Sequence, residues 1–122
     1  MKSISFLLAA FFAITGSNVF AQTEQTDTIN VYGNCGMCKK RIEKAVKAEG
    51  VSFAQWSPET KLLIVTYDAI MITNDVIQKN VAAVGHDTDR YTADDKVYSK
   101  LPGCCLYERK KEPKKENPEQ KQ

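Results

Sequence analysis

The 122-residue chain has one histidine and one tryptophan, and no apolar stretch in it reaches the roughly 20 residues that a membrane-spanning helix needs. Insertion in a bilayer is therefore not expected of the finished protein. Neither sign of charge dominates. Lys and Arg number 17 against 15 Asp and Glu, a formal net charge of +2, and loss of Lys2 with an amino-terminal leader leaves 16 basic residues. Net charge gives no ground for binding nucleic acid or a membrane surface. Proline is missing between Gln22 and Trp56 and occurs before the tail only at Pro58 and Pro102, which argues against a thioredoxin-type enzyme with its cis-proline loop. The length allows one domain with a modest core, too small for a large catalytic cleft, and no catalysis is expected.

The amino terminus combines Lys2, an apolar run from Ile4 to Ile14 broken only by Ser5, and Val19-Phe20-Ala21 before polar Gln22-Thr23-Glu24. This is the three-part pattern of a secretory leader, with cleavage expected after Ala21 and a periplasmic or secreted product. At the other end, Glu108 to Gln122 holds six Lys or Arg, four Glu, Pro113 and Pro118 and almost nothing apolar, so it is expected to be a disordered tail. The chain divides accordingly into a signal peptide (1–21), a linker (22–26), a domain (27–92), an extension (93–107) and the tail (108–122).

Between these ends, strand and helix patterns alternate. Thr28 to Tyr32 alternates with period two and is stopped by Gly33 and Asn34. From Met37 to Glu49, Cys38, Ile42, Ala45 and Val46 form a helical face ended by Gly50. Val51 to Trp56 and Lys61 to Tyr67 make a hairpin around Ser57-Pro58-Glu59-Thr60, with Leu63, Val65 and Tyr67 on one face. Thr73 caps a second helix whose buried stripe is Val76, Ile77, Val81 and Val84, ended by Gly85. Asp87 to Thr92 supplies a short fourth strand. The order is βαββαβ, an α+β ferredoxin-like sandwich with two helices on one face of a four-stranded antiparallel sheet.

Cys35 and Cys38, in Val31-Tyr32-Gly33-Asn34-Cys35-Gly36-Met37-Cys38-Lys39-Lys40, lie at the first strand-to-helix junction. A helix amino terminus favours thiolate, the ligand form of cysteine, and Lys39, Lys40 and Arg41 add positive charge nearby. Two thiolates suit a soft ion of low coordination number, Cu(I) first and Hg(II) by the same softness, whereas structural Zn(II) wants four ligands. The same pair in an oxidising compartment can instead be a plain disulfide or the working pair of a thiol-disulfide exchange protein.

The element order and two-cysteine loop resemble the heavy-metal-associated domain family, which includes copper chaperones and the periplasmic mercury-binding protein. The resemblance runs from about Asp27 to Thr92 and includes the Gly50-Val51 step, Glu59-Thr60-Lys61-Leu62-Leu63-Ile64-Val65-Thr66-Tyr67-Asp68 and Val81-Ala82-Ala83-Val84-Gly85-His86. One departure is plain: the family's usual loop has Met two residues before the first Cys, packed into the core to steady the loop, and here Gly33 stands there. The resemblance implies metal transfer to a transporter or efflux component, with Cys35 and Cys38 as ligands; Met37 and Lys39, beside the two thiols, are candidate neighbours of the ion. It also places the loop of His86, the single histidine, beside the metal loop, where His86 is a candidate third contact.

Cys104 and Cys105 follow the predicted domain. Adjacent Cα atoms lie about 3.8 Å apart, below the usual lower end for a disulfide, so the two are expected to look outward rather than bond to each other. They are candidate auxiliary ligands for an ion shared with Cys35 and Cys38, or an independent site. Two thiols from each of two chains can also share one ion, which makes a metal-bridged homodimer a further expectation.

Overall fold

The structure is a computed structural model that describes residues 23–109. The leader and nearly all of the charged tail lie outside the described residues. In chain order the elements are β1 (Glu24–Asn30), α1 (Gly36–Val46), β2 (Val51–Trp56), β3 (Leu62–Asp68), α2 (Asn74–Ala83), α3 (Asp95–Ser99) and a 3-10 turn at Gly103–Cys105.

Among the described residues the sheet has three antiparallel strands in the order β1-β3-β2. The alternation in β3 holds: Leu63, Val65 and Tyr67 are buried, while Leu62 and Ile64 stay exposed. The inward residues, with Ile29 from β1, pack against Ile42 and Val46 of α1 and Ile77 and Val81 of α2. β1 starts earlier than its apolar pattern suggests, because its polar first half is satisfied across the layers. The Asp27 carboxylate accepts from the Tyr67 hydroxyl at 2.5 Å and from Asn74 Nδ2 at 2.8 Å.

The expected fourth strand, Asp87 to Thr92, is not formed and is reduced to one β-bridge between Val31 and Thr88. The backbone starts a ladder, with Tyr32 N–H donating to Asp87 C=O at 2.9 Å, and then leaves it. The next donor on β1, Asn30 N–H, is taken by the Asp89 side chain at 3.0 Å. Thr88 N–H turns to Tyr91 C=O at 2.8 Å. A side chain and a turn therefore meet the hydrogen-bonding demand that a strand would have met.

The helices are also shorter and differently turned than their patterns. α1 ends at Val46, and the chain passes through Gly50 at φ +93°, where a Cβ would lie 2.8 Å from that of Met71. Only glycine fits both conditions. In α2, Thr73 caps as expected, its side chain accepting from Val76 N–H at 3.3 Å. The buried stripe is Ile77, Gln78, Val81 and Ala82, with Val76 exposed. Gln78 enters the core because its side-chain oxygen accepts from Thr88 Oγ1 and Arg90 N–H, both at 2.9 Å.

The segment after Thr92 folds back on the domain. Leu101, Cys105 and Tyr107 join the core. The Tyr107 hydroxyl donates to Gly85 C=O at 2.7 Å and accepts from Asp87 N–H at 2.9 Å. Asp87, fully buried, accepts from Ala93 N–H at 2.7 Å and pairs with Arg109 Nη2 at 2.8 Å. Arg109, at the start of the predicted tail, is thus bound to the domain. Burial of the Asp87 carboxylate is tolerated because Arg109 faces it. Replacing Arg109 by Met leaves that charge without its partner and is expected to cost about 3–5 kcal/mol of folding stability. Urea unfolding followed by Trp56 fluorescence measures this, and an unchanged midpoint would refute the anchoring role.

Candidate metal centre

The loop between β1 and α1 turns the chain from the sheet into a helix whose first residues carry the two thiols. Cys35 is the N-cap in extended conformation, and its carbonyl accepts from Lys39 N–H at 3.0 Å. Cys38 lies one turn on, fully buried on the inner face of α1. Beneath the loop, the ring of Trp56 occupies the space that a side chain at position 33 would need. A Cβ there would meet two carbons of that ring at 3.0 and 3.1 Å and Cys38 Cβ at 3.2 Å. Trp56 is held in turn by its Nε1, which donates to Val31 C=O at 3.0 Å. The missing loop Met is thus compensated from β2, and Lys61 Nζ braces the loop by donating to Gly33 C=O at 2.6 Å.

The 3-10 turn of the extension brings a third sulfur to the loop. Cys35 Sγ lies 3.6 Å from Cys38 Sγ and 3.7 Å from Cys105 Sγ. All three sulfurs fall within 4.8 Å of one another. No disulfide joins them, nor Cys104. An ion with metal–sulfur bonds of about 2.3 Å spans sulfurs up to about 4.6 Å apart, so at least two of these three separations fit a shared ion directly.

The thiols differ in acidity. Cys38 N–H, followed by the Cys104 and Cys38 thiols and Met37 N–H, holds the half-buried Cys35 thiol down at about 6 despite some burial, as expected at a helix amino terminus. Burial pushes Cys38 up to about 11, although Asn34 N–H donates to its sulfur at 3.4 Å. Burial also raises Cys105, opposed in part by Arg41 Nη1 at 3.3 Å from its sulfur. Near neutral pH the set therefore rests as one thiolate and two thiols, and full ligation releases protons.

The other expected site residues are placed as follows. Cys104 is exposed, with its Sγ 3.9 Å from Cys105 Sγ and 3.5 Å from Met37 Sδ. Lys39 is turned away, paired with Glu43 and donating to Trp56 C=O at 3.1 Å. His86 is not in the sulfur cluster. Its Nδ1 faces Tyr32 C=O at 2.7 Å, a contact that requires the proton on Nδ1, and its ring stacks on Tyr107 at 5.4 Å. Burial lowers its pKa. Of the expected further ligands, Cys105 is the one whose ligand atom lies with those of Cys35 and Cys38. Of the basic run after Cys38, Arg41 is the residue that reaches a sulfur, which spacing alone does not select.

Residues 29–87 match the family model for the heavy-metal-associated domain. No curated relative matches the chain. Among solved structures, the CopZ metallochaperone is 27% identical with a TM-score of 0.51, and the match covers 52% of this chain and 98% of that one. A protein of Bacillus anthracis str. Ames designated copper-ion-binding is 27% identical, with a TM-score of 0.54 and coverage of 57% and 100%. Oxidized MerP from Ralstonia metallidurans CH34 is 32% identical, with a TM-score of 0.52 and coverage of 54% and 94%. The family match stops before the extension that carries Cys105.

At pH 7, iodoacetamide is expected to label Cys35 well before Cys38, with the Cys35 rate rising through an apparent pKa near 6. Peptide mass spectrometry across a pH series reads both rates; faster labelling of Cys38 would contradict the assigned acidities.

Proposed function

The chain belongs to the heavy-metal-associated domain family, and from that premise we propose that it is an exported carrier of a soft heavy-metal ion, Cu(I) ahead of Hg(II). The observation that carries this reading is the three-sulfur cluster of Cys35, Cys38 and Cys105. Soft thiolates select Cu(I) and similar ions. A third ligand from the same chain also removes the need for a second copy to complete the ion's shell.

Transfer follows from the different character of the thiols. An incoming thiolate from a transporter or efflux component adds to the ion as one resident thiolate leaves. Cys35, half-buried and the most acidic of the three, is the best leaving ligand, and buried Cys38 is the last to let go. Arg41 offsets part of the negative charge that three thiolates bring to one monovalent ion. The low pKa of Cys35 would equally serve thiol-disulfide exchange, which is the second reading.

Anaerobic Cu(I) titration against a competing chelator separates the two. Cys35→Ser/Cys38→Ser is expected to abolish tight binding. Cys105→Ser is expected to weaken it by about 100-fold or more, since even an outer-sphere partner commonly contributes 10–100-fold. Disulfide reductase activity with no Cu(I) affinity would establish the exchange reading instead. Export is checked by fractionation and amino-terminal sequencing, with the mature chain beginning at Gln22; a chain that keeps Met1 in the cytoplasm would overturn it.

A further inference from the structure

We propose that Cys104 and Met37 form, together with Cys105, an outer binding site for a second soft monovalent cation of the Cu(I) class, placed at the mouth of the three-cysteine centre. The inference rests on the inner centre proposed above and extends it outward. Five sulfurs stand in an unbroken series: Met37 Sδ to Cys104 Sγ is 3.5 Å, Cys104 to Cys105 is 3.9 Å, Cys105 to Cys35 is 3.7 Å, and Cys35 to Cys38 is 3.6 Å. Each step is shorter than the span of about 4.6 Å that two bonds of about 2.3 Å to one ion allow. Its outer end is open to solvent, with Met37 and Cys104 exposed, and its inner end, Cys38, is buried; between them Cys105 is buried and Cys35 half-buried.

The donors at the outer end have a definite chemical preference. A thioether beside a thiol suits Cu(I) and offers little to the harder divalent ions. Cys105 lies at the junction of both ends, and a thiolate sulfur there can bridge two soft ions. Charge does not oppose the second ion, because one monovalent cation with the Cys104 thiolate adds no net charge to the cluster. Met37 also edges an open groove lined by Lys40, Arg41 and Lys44. An ion arriving as an anionic thiolate complex meets positive charge beside the outer sulfurs.

The arrangement gives the methionine and the vicinal cysteines a joint task. An ion caught by Cys104 and Met37 needs only to exchange one sulfur at a time, through Cys105, to reach Cys35 and Cys38. Each step forms one metal–sulfur bond as another breaks, and no electron changes hands.

The reduced chain is titrated anaerobically with Cu(I), native mass spectrometry counts ions per monomer, and NMR follows the methionine methyl groups. The parent is expected to take two ions per monomer, with the Met37 methyl resonance moving during the second equivalent. Cys104→Ser and Met37→Leu are each expected to stop at one ion per monomer. A parent that takes one ion with the Met37 signal unmoved, a second ion that appears only in a dimer, or variants that still take two would each overturn the outer site while leaving the inner one standing. If Cys35→Ser/Cys38→Ser keeps the parent's affinity for the first ion, the inner reading fails and this proposal falls with it.

Discussion

Four parts of the molecule meet at Asp87. Its carbonyl receives Tyr32 N–H at the end of the first strand, its N–H donates to Tyr107, and its buried carboxylate accepts from Ala93 N–H and pairs with Arg109. A buried carboxylate is costly without such partners, so the chain on either side has to come to it. The result is that the end of α2, the start of the cysteine loop and both ends of the extension share one fixed point. Cys105 reaches Cys35 because the chain is tied down on both sides of it, at Ala93 and at Tyr107 with Arg109.

The loop itself is held from below rather than from within. Trp56 fills the space beside Gly33 and Cys38, and Lys61 secures the Gly33 carbonyl. A small residue in the loop and a large one on the neighbouring strand achieve the packing that a large loop residue would provide. With the loop backbone set, the N–H groups at the start of α1 face Cys35, and the difference in acidity between Cys35 and Cys38 follows from one sulfur lying at the helix end and the other in the core.

Local signals in the sequence were sufficient wherever a residue's role is decided by its near neighbours. The two faces of β3, the Thr73 cap and the position of Cys35 and Cys38 at a helix start all depend on spacings of two to four residues. The fourth strand failed as an expectation because the Asp89 side chain and a turn closed by the Tyr91 carbonyl compete for the backbone, and such competition is not visible in a pattern of apolar residues. Of the candidate further ligands, Cys105 lies with the two loop thiols and His86 does not, for a long-range reason: Tyr107 stacks on the imidazole and the buried ion pair seats the 3-10 turn, contacts between segments about 20 residues apart. The Cys104–Cys105 pair announced extra sulfur chemistry, but one-residue spacing does not say which of two adjacent side chains points inward.

Cys35 and Cys105 are separated by 70 positions, a span that encloses α1, the hairpin, α2 and α3. Anything that joins their sulfurs, an ion or a covalent bond, therefore sews nearly the entire folded body into one ring. Closing a ring of that size removes unfolded-state freedom worth about 4 kcal/mol in the chain-entropy account, a large share of the stability of a small domain. Cargo and fold are then the same fastening: a laden chain resists unravelling, and giving up the ion also loosens the protein that delivered it.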